Sequence, residues 1–170
     1  MPRRVVVSDS SVLIDLERGT FFAAAFALPF DFCVPDLLYR RELEPLGGDH
    51  LVHMGLRVLE LDDAGVARAA RYRQDVPALS LSDAFALALA HSTGGTLLTG
   101  DARLRRLAGD ERIACHGVLW LLDRIIQQRS ATPKQLFDGL VRIRDHPRCR
   151  LPKAEVSKRL QVFALAGKTA

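Results

Sequence analysis

Short continuous apolar runs alternate along this chain with stretches whose apolar positions recur at helical spacing. That alternation is the pattern of an α/β fold on a mainly parallel sheet flanked by helices. Residues 5–8 form an unbroken apolar run, as expected of a strand covered on both faces. A helix is predicted over 10–17, closed by Gly19, and Thr20 is placed to cap a second helix, FFAAAFAL, that ends at Pro29. Residues 32–34 are the next strand, with Pro35 as the first residue of a helix DLLYRREL. Strand 57–61 leads to Asp62 as the cap of a helix through VARAARYR. Ser80 or Ser82 caps DAFALALAHS, which Gly94-Gly95 stops. Residues 96–99 form a strand, 103–107 a short helix and 113–115 a last strand. The rest is helical: Gly117 opens VLWLLDRIIQQR, Thr132-Pro133 with Gln135 is a capping-box start, and Pro152 starts KAEVSKRLQVFAL.

Four acids fall at the predicted ends of these elements. Asp9 and Asp101 follow strands, the second through Gly100, and so lie at the carboxyl edge of the sheet, where open α/β sheets place their ligands. Glu42 lies one turn after Leu38 and Tyr39, and Asp83 begins the helix after Ser80-Leu81-Ser82. Each has an ordinary explanation: Asp9 and Asp101 as helix caps, Asp83 as the acid of a capping box, Glu42 as a solvated side chain. Those explanations leave unaccounted the order strand-Asp, helix-Glu, helix-start Asp, strand-Gly-Asp. Convergent carboxylates repel one another, and a hard divalent cation with oxygen ligands relieves that repulsion.

In order and in wording, above all LSLSDAFALALA and LLTGDARLRRL, the chain resembles the PIN-domain ribonucleases, particularly VapC-type toxins, over residues 4 to 128. The resemblance implies a three-layer PIN-like fold, with residues 1–128 as the nuclease domain and 129–170 as a helical C-terminal extension packed on it. It also implies a metal-dependent endoribonuclease in which Asp9, Glu42, Asp83 and Asp101 are catalytic and bind Mg²⁺ or Mn²⁺. Asp9 and Asp101 would be direct ligands, Glu42 and Asp83 would act through water, and Ser10 and Thr99 would support the carboxylates from behind. No further acid follows between Ala102 and Leu107, so one ion is the expectation. The alternative is a non-catalytic PIN-like module that binds RNA or protein.

Composition narrows the setting. The chain has 170 residues and is 48% hydrophobic, enough for one domain with a sizeable core. No apolar stretch approaches the roughly 20 residues of a membrane span, so a cytoplasmic protein is expected. Cys33, Cys115 and Cys149 are isolated and odd in number, which fits small buried hydrophobes. His50 and His53 have helical spacing but lie by Gly47-Gly48 in a predicted loop with no third ligand. Asp15 is expected to be solvated or salt-bridged, and Asp36 to be a first-turn acid favoured by the helix dipole. The net charge of +4 proves nothing by itself, but Arg40 and Arg41 flank Glu42, and Arg103, Arg105 and Arg106 follow Asp101, where RNA phosphates would need them. Arg3 and Arg4 precede the first strand, and Arg144, Arg148, Arg150, Lys153 and Lys158 make the C-terminal stretch basic: an added RNA surface, a cover, or a docking site. The VapC likeness adds a protein antitoxin and a homodimer, the latter drawing on exposed aromatic surface at Phe21, Phe22, Phe26 and Phe30.

Overall fold

The computed structural model describes residues 3–169. Its sheet has five parallel strands in the order β3-β2-β1-β4-β5: β1 (Arg4–Ser8), β2 (Phe30–Pro35), β3 (Arg57–Leu59), β4 (Thr96–Leu98) and β5 (Cys115–His116). The central strand β1 pairs Val7 with Cys33 of β2 on one side and with Leu97 of β4 on the other. Because the chain goes from β1 outward to β3 and then crosses back to β4, strand order reverses between β1 and β4. The connections part there and leave a crevice at the carboxyl ends of those two strands.

Side chains alternate across the pleat and divide the core in two. Val6, Phe32, Val34 and Leu98 face one way, under α1 (Ser10–Gly19), α2 (Phe22–Phe26), α8 (Val118–Gln128) and the C-terminal helices. Val7, Cys33 and Leu97 face the other, under α5 (Asp63–Asp75), α6 (Leu81–Thr93) and α7 (Ala102–Asp110). The result is the three-layer α/β arrangement that the alternating pattern predicts. In α6, Ala84, Ala86, Ala88 and Ala90 are all buried, and side chains that small let this helix lie close against the sheet.

The C-terminal helices α9 (Pro133–Asp145) and α10 (Lys153–Ala166) belong to the same core, to which they contribute Leu136, Leu140, Ile143, Val156 and Phe163. Thr132 opens α9 with the predicted capping box. Arg142 ties α9 to the end of α1, its Nη2 donating to the Gly19 carbonyl at 2.9 Å and to Thr20 Oγ1 at 2.8 Å. Arg159 of α10 grips Asp123 of α8 with two bonds, at 2.9 and 2.7 Å.

Several elements differ from expectation. Thr20 caps no second helix; it has a φ of 58° and terminates α1, while α2 starts with no side-chain cap. Pro35 ends β2 in extended conformation, and α3 (Asp36–Leu38) follows it. The predicted helix DLLYRREL does not remain α-helical: residues Tyr39–Leu43 form a π-turn in which the Glu44 N–H reaches back to the Tyr39 carbonyl, and a 3₁₀ turn, Glu44–Leu46, follows. Pro45 accounts for this, since it has no N–H to give Arg41 and its ring crowds that carbonyl. A further helix, α4 (Asp49–Met54), occupies the predicted loop and carries His50 and His53. No helix among the described residues is long and apolar enough to cross a membrane.

Candidate active site

Asp9 stands just past β1, its N–H bonded to the Leu98 carbonyl of β4 at 2.9 Å, and is 2% exposed. Its carboxylate is held on both sides. Oδ1 accepts from the Val12 N–H at 3.0 Å, which makes Asp9 the cap of α1, and from the Ser11 hydroxyl at 2.7 Å. Oδ2 accepts from the Thr99 hydroxyl beyond β4. The same Thr99 oxygen accepts the Asp101 N–H at 3.0 Å, and Ser11 Oγ accepts the Gly100 N–H at 3.1 Å. Two hydroxyls therefore join the ends of β1 and β4 into one hydrogen-bonded unit. Asp101 caps α7, its Oδ1 accepting from the Leu104 N–H at 2.9 Å. Asp83 lies in the first turn of α6, whose cap is Ser80.

Capping alone does not account for these acids. A cap facing water fills its role without burial, whereas burial pushes Asp9 up to about 6 against three hydrogen bonds that pull it down, and the Asp83 charge pushes it further up. Burial likewise raises Asp83, opposed by Ser80, and the charges of Asp101 and then Glu42 add to the rise. Asp83 thus lies in the field of Asp101 and Glu42 and itself acts on Asp9, and a cleft of about 320 Å³ has Asp9, Asp83 and Asp101 in its wall. Glu42 does not line that cleft. The π-turn puts it on an adjoining apolar groove, which shares Ser10 and Ile14 with the acidic cleft.

An acidic crevice of this kind, at the reversal of a parallel sheet, coincides with a match over nearly the whole chain: the family model DUF3368, a PIN domain, matches residues 5–164. The chain belongs to the PIN-domain family. No curated protein matches it. PIN domains are in general nucleases that act with divalent metals. The match continues past residue 128 through α9 and most of α10.

Whether this PIN domain's residues fit a divalent cation divides into chemistry and spacing. The donors, carboxylate oxygens, suit a hard ion. Among the described residues, however, no three His, Cys, Asp or Glu side chains stand together closely enough to hold one. Mg²⁺ does not require that many, because it keeps several waters and takes one or two carboxylates.

The remaining predicted residues are dispersed. Thr99 touches Asp9 as expected, but Ser10 makes no side-chain hydrogen bond among the described residues, and its neighbour Ser11 holds the carboxylate instead. A hydroxyl two residues after an Asp cap is well placed for that contact, a signal present in Asp9-Ser10-Ser11 and overlooked. Asp15 is salt-bridged to Arg18 at 3.3 Å and also lines the cleft. Arg40 faces away from the cleft toward Asp36 and Glu60, at 3.9 and 4.0 Å, and Arg41 is exposed. Arg105 binds the Thr99 carbonyl at 3.1 Å, a bracing contact, and Arg103 binds the Ala78 carbonyl at 2.9 Å while its charge opposes the rise at Asp83. His50 and His53 are exposed, each ring bonded to a carbonyl of its own turn. Arg148 and Arg150 enter the cleft wall from the loop between α9 and α10, a long-range approach that no local sequence signal carries.

Proposed function

We propose that this PIN domain is a metal-dependent endoribonuclease that hydrolyses RNA phosphodiester bonds in the cytoplasm. The buried Asp9 at the head of the acidic cleft is the observation that carries the reading, because a carboxylate held by three hydrogen bonds against its own burial and the Asp83 charge is poised for a cation. Asp9 and Asp101 would hold Mg²⁺ or Mn²⁺ directly, with Asp83 and Glu42 behind its waters, and the ion would supply an acidified water nucleophile and charge to offset the leaving oxygen. Ser11, Thr99 and the Val12 N–H fix the Asp9 carboxylate so that its orientation does not depend on the ligand. Asp83, raised by burial and then by the charges of Asp101 and Glu42, is suited to take a proton from a water hydrogen-bonded to it.

RNA cleavage by the purified protein in Mg²⁺ or Mn²⁺ is the test, with Asp9→Asn and Asp101→Asn as controls. Both substitutions are expected to lower cleavage by at least a hundredfold while the protein stays folded. Cleavage undiminished in both purified variants refutes the assignment.

A toxin role, with a neutralising protein antitoxin and a homodimeric assembly, belongs to the same proposal and rests on the VapC likeness. A second reading, a non-catalytic module that binds RNA or protein, draws on the absence of three acids at ligating distance among the described residues. Calorimetric titration with Mn²⁺ separates the two: heat lost in Asp9→Asn supports the nuclease, and no heat from the unaltered chain supports the module.

A further inference from the structure

The loop joining α9 to α10 is anchored rather than loose. The His146 N–H reaches the Ile143 carbonyl at 3.3 Å, the Arg148 N–H reaches His146 Nδ1 at 3.1 Å, and the Cys149 N–H reaches the His146 carbonyl at 2.9 Å. Within and after that turn, Cys149 and Leu151 pack against the core, while Arg148 and Arg150 stay exposed. Both arginines line the acidic cleft, together with Asp9, Asp83 and Asp101. The helices on either side are tied down by Arg142 and Arg159, so the backbone that carries these two arginines has a fixed place beside the acidic cleft.

Their lack of partners sets them apart from the other arginines of this region. Arg18, Arg142, Arg144 and Arg159 each hold a carboxylate or a carbonyl, whereas among the described residues neither Arg148 nor Arg150 makes an ion pair or a side-chain hydrogen bond. Two free cations next to three carboxylates that they do not neutralise are arranged for a ligand negative along its length, which meets the acids at one point and the arginines at another.

We propose that Arg148 and Arg150 form a phosphate clamp that holds the backbone of single-stranded RNA beside the bond to be cut. The clamp rests on the nuclease reading for its substrate, but binding tests it without cleavage. Guanidinium pairs suit phosphate through charge-assisted, often bidentate bonds, and contacts of this kind position a strand without reading its bases.

The test is fluorescence anisotropy of a labelled single-stranded RNA of about 12 nucleotides, titrated with Asp9→Asn protein and with the same protein carrying Arg148→Ala and Arg150→Ala. Salt runs from about 50 to about 200 mM. The double change is expected to raise Kd on the order of tenfold, equally across RNA sequences. It should also flatten the slope of log affinity against log salt by about 1.4, the value for two contacts on a single strand. Arg144→Ala, which removes a charge already paired with Asp145, should leave both quantities within about twofold. With Asp9 intact, the clamp variant's loss should lie in KM rather than in kcat. Unchanged RNA binding overturns the clamp, as does a parent protein that binds no RNA. Faster cleavage by the clamp variant also overturns it, since the loop would then be a self-inhibiting cover. Arginine-dependent binding by a wild-type protein that cuts nothing keeps the clamp and removes the nuclease reading.

Discussion

Asp9 charges at a cost. Raised from the ordinary 3.8 to about 6 by burial first and Asp83 last, its ionised form is disfavoured in the fold by ~3 kcal/mol. The sign follows from proton linkage: between the two values the folded chain binds more protons than the unfolded one, so stability falls as pH rises through about 4 to 6 and is regained below. Asp9→Asn removes that loss and keeps acceptors for Ser11 and Val12. In EDTA its stability should match wild type near about pH 4 and exceed it by at least ~1 kcal/mol above about pH 6.5, as read by urea unfolding at each pH. Saturating Mg²⁺ should close the gap by stabilising wild type alone. A gap independent of pH would mean that Asp9 does not titrate in this range.

At the scale of elements, α9 shows two backbone effects in opposition. Alanine in place of a helical glycine ordinarily gains about 1 kcal/mol. At Gly139, however, a Cβ would sit 2.2 Å from Phe21 Cζ and 2.6 Å from the Gly19 carbonyl oxygen, and Phe21 is 2% exposed with nowhere to go. Overpacking of this kind costs typically 1–3 kcal/mol, so Gly139→Ala is expected to destabilise by about 2 kcal/mol in urea unfolding, and a more stable variant would mean that α9 is not seated as described. The elements also show where sequence reading succeeds. The strand ending at Ser8, the caps at Asp62 and Thr132 and the stop at Gly94 were legible because turn and cap chemistry is local, and β4 ends at Leu98, one residue before the expected end. Asp9 and Asp101 were legible for the same reason. The π-turn under Glu42 was carried by Pro45, but its consequence, an acid turned onto a neighbouring groove, depends on what α1 and α4 place there. Arg148 and Arg150 were visible only as part of a basic stretch, because the cleft they line brings them beside Asp9, Asp83 and Asp101, which are remote in sequence.

For the molecule as a whole, the aromatic row expected to be exposed is largely turned inward. Phe21 is fully buried, Phe26 meets Phe32 edge-on at 5.2 Å, and Phe30 stacks on Trp120 at 5.5 Å. Exposed large apolar side chains occur on α5 and α10, at Val66, Val162 and Leu165, and around α4 and the turn before it, where Leu46 at 84% is the most exposed and Ile14, Val52 and Met54 are about two-fifths exposed. Apolar surface gathered in this way is what an association interface offers. The dimer proposed above would therefore form here, through Leu46. Light scattering at about 50 µM is expected to give twice the chain mass, and Leu46→Lys to give one chain mass; a monomeric unaltered chain refutes the dimer and leaves the active site untouched.

The hydroxyl bridge between Asp9 and Thr99 spans 90 positions of sequence. Because β1 is synthesised first and its partner β4 arrives so late, a growing chain carries Asp9 for most of its synthesis without Thr99 or Asp101 beside it. At about 5–20 residues per second that interval lasts on the order of 5 to 20 seconds. A nuclease of the kind proposed would, divided in this way, be born unassembled. The ribosome and the message producing it would meet an acid set without Asp101, and an Asp9 without its Thr99 partner, until about three-fifths of the chain had emerged, a delay written into the strand order itself.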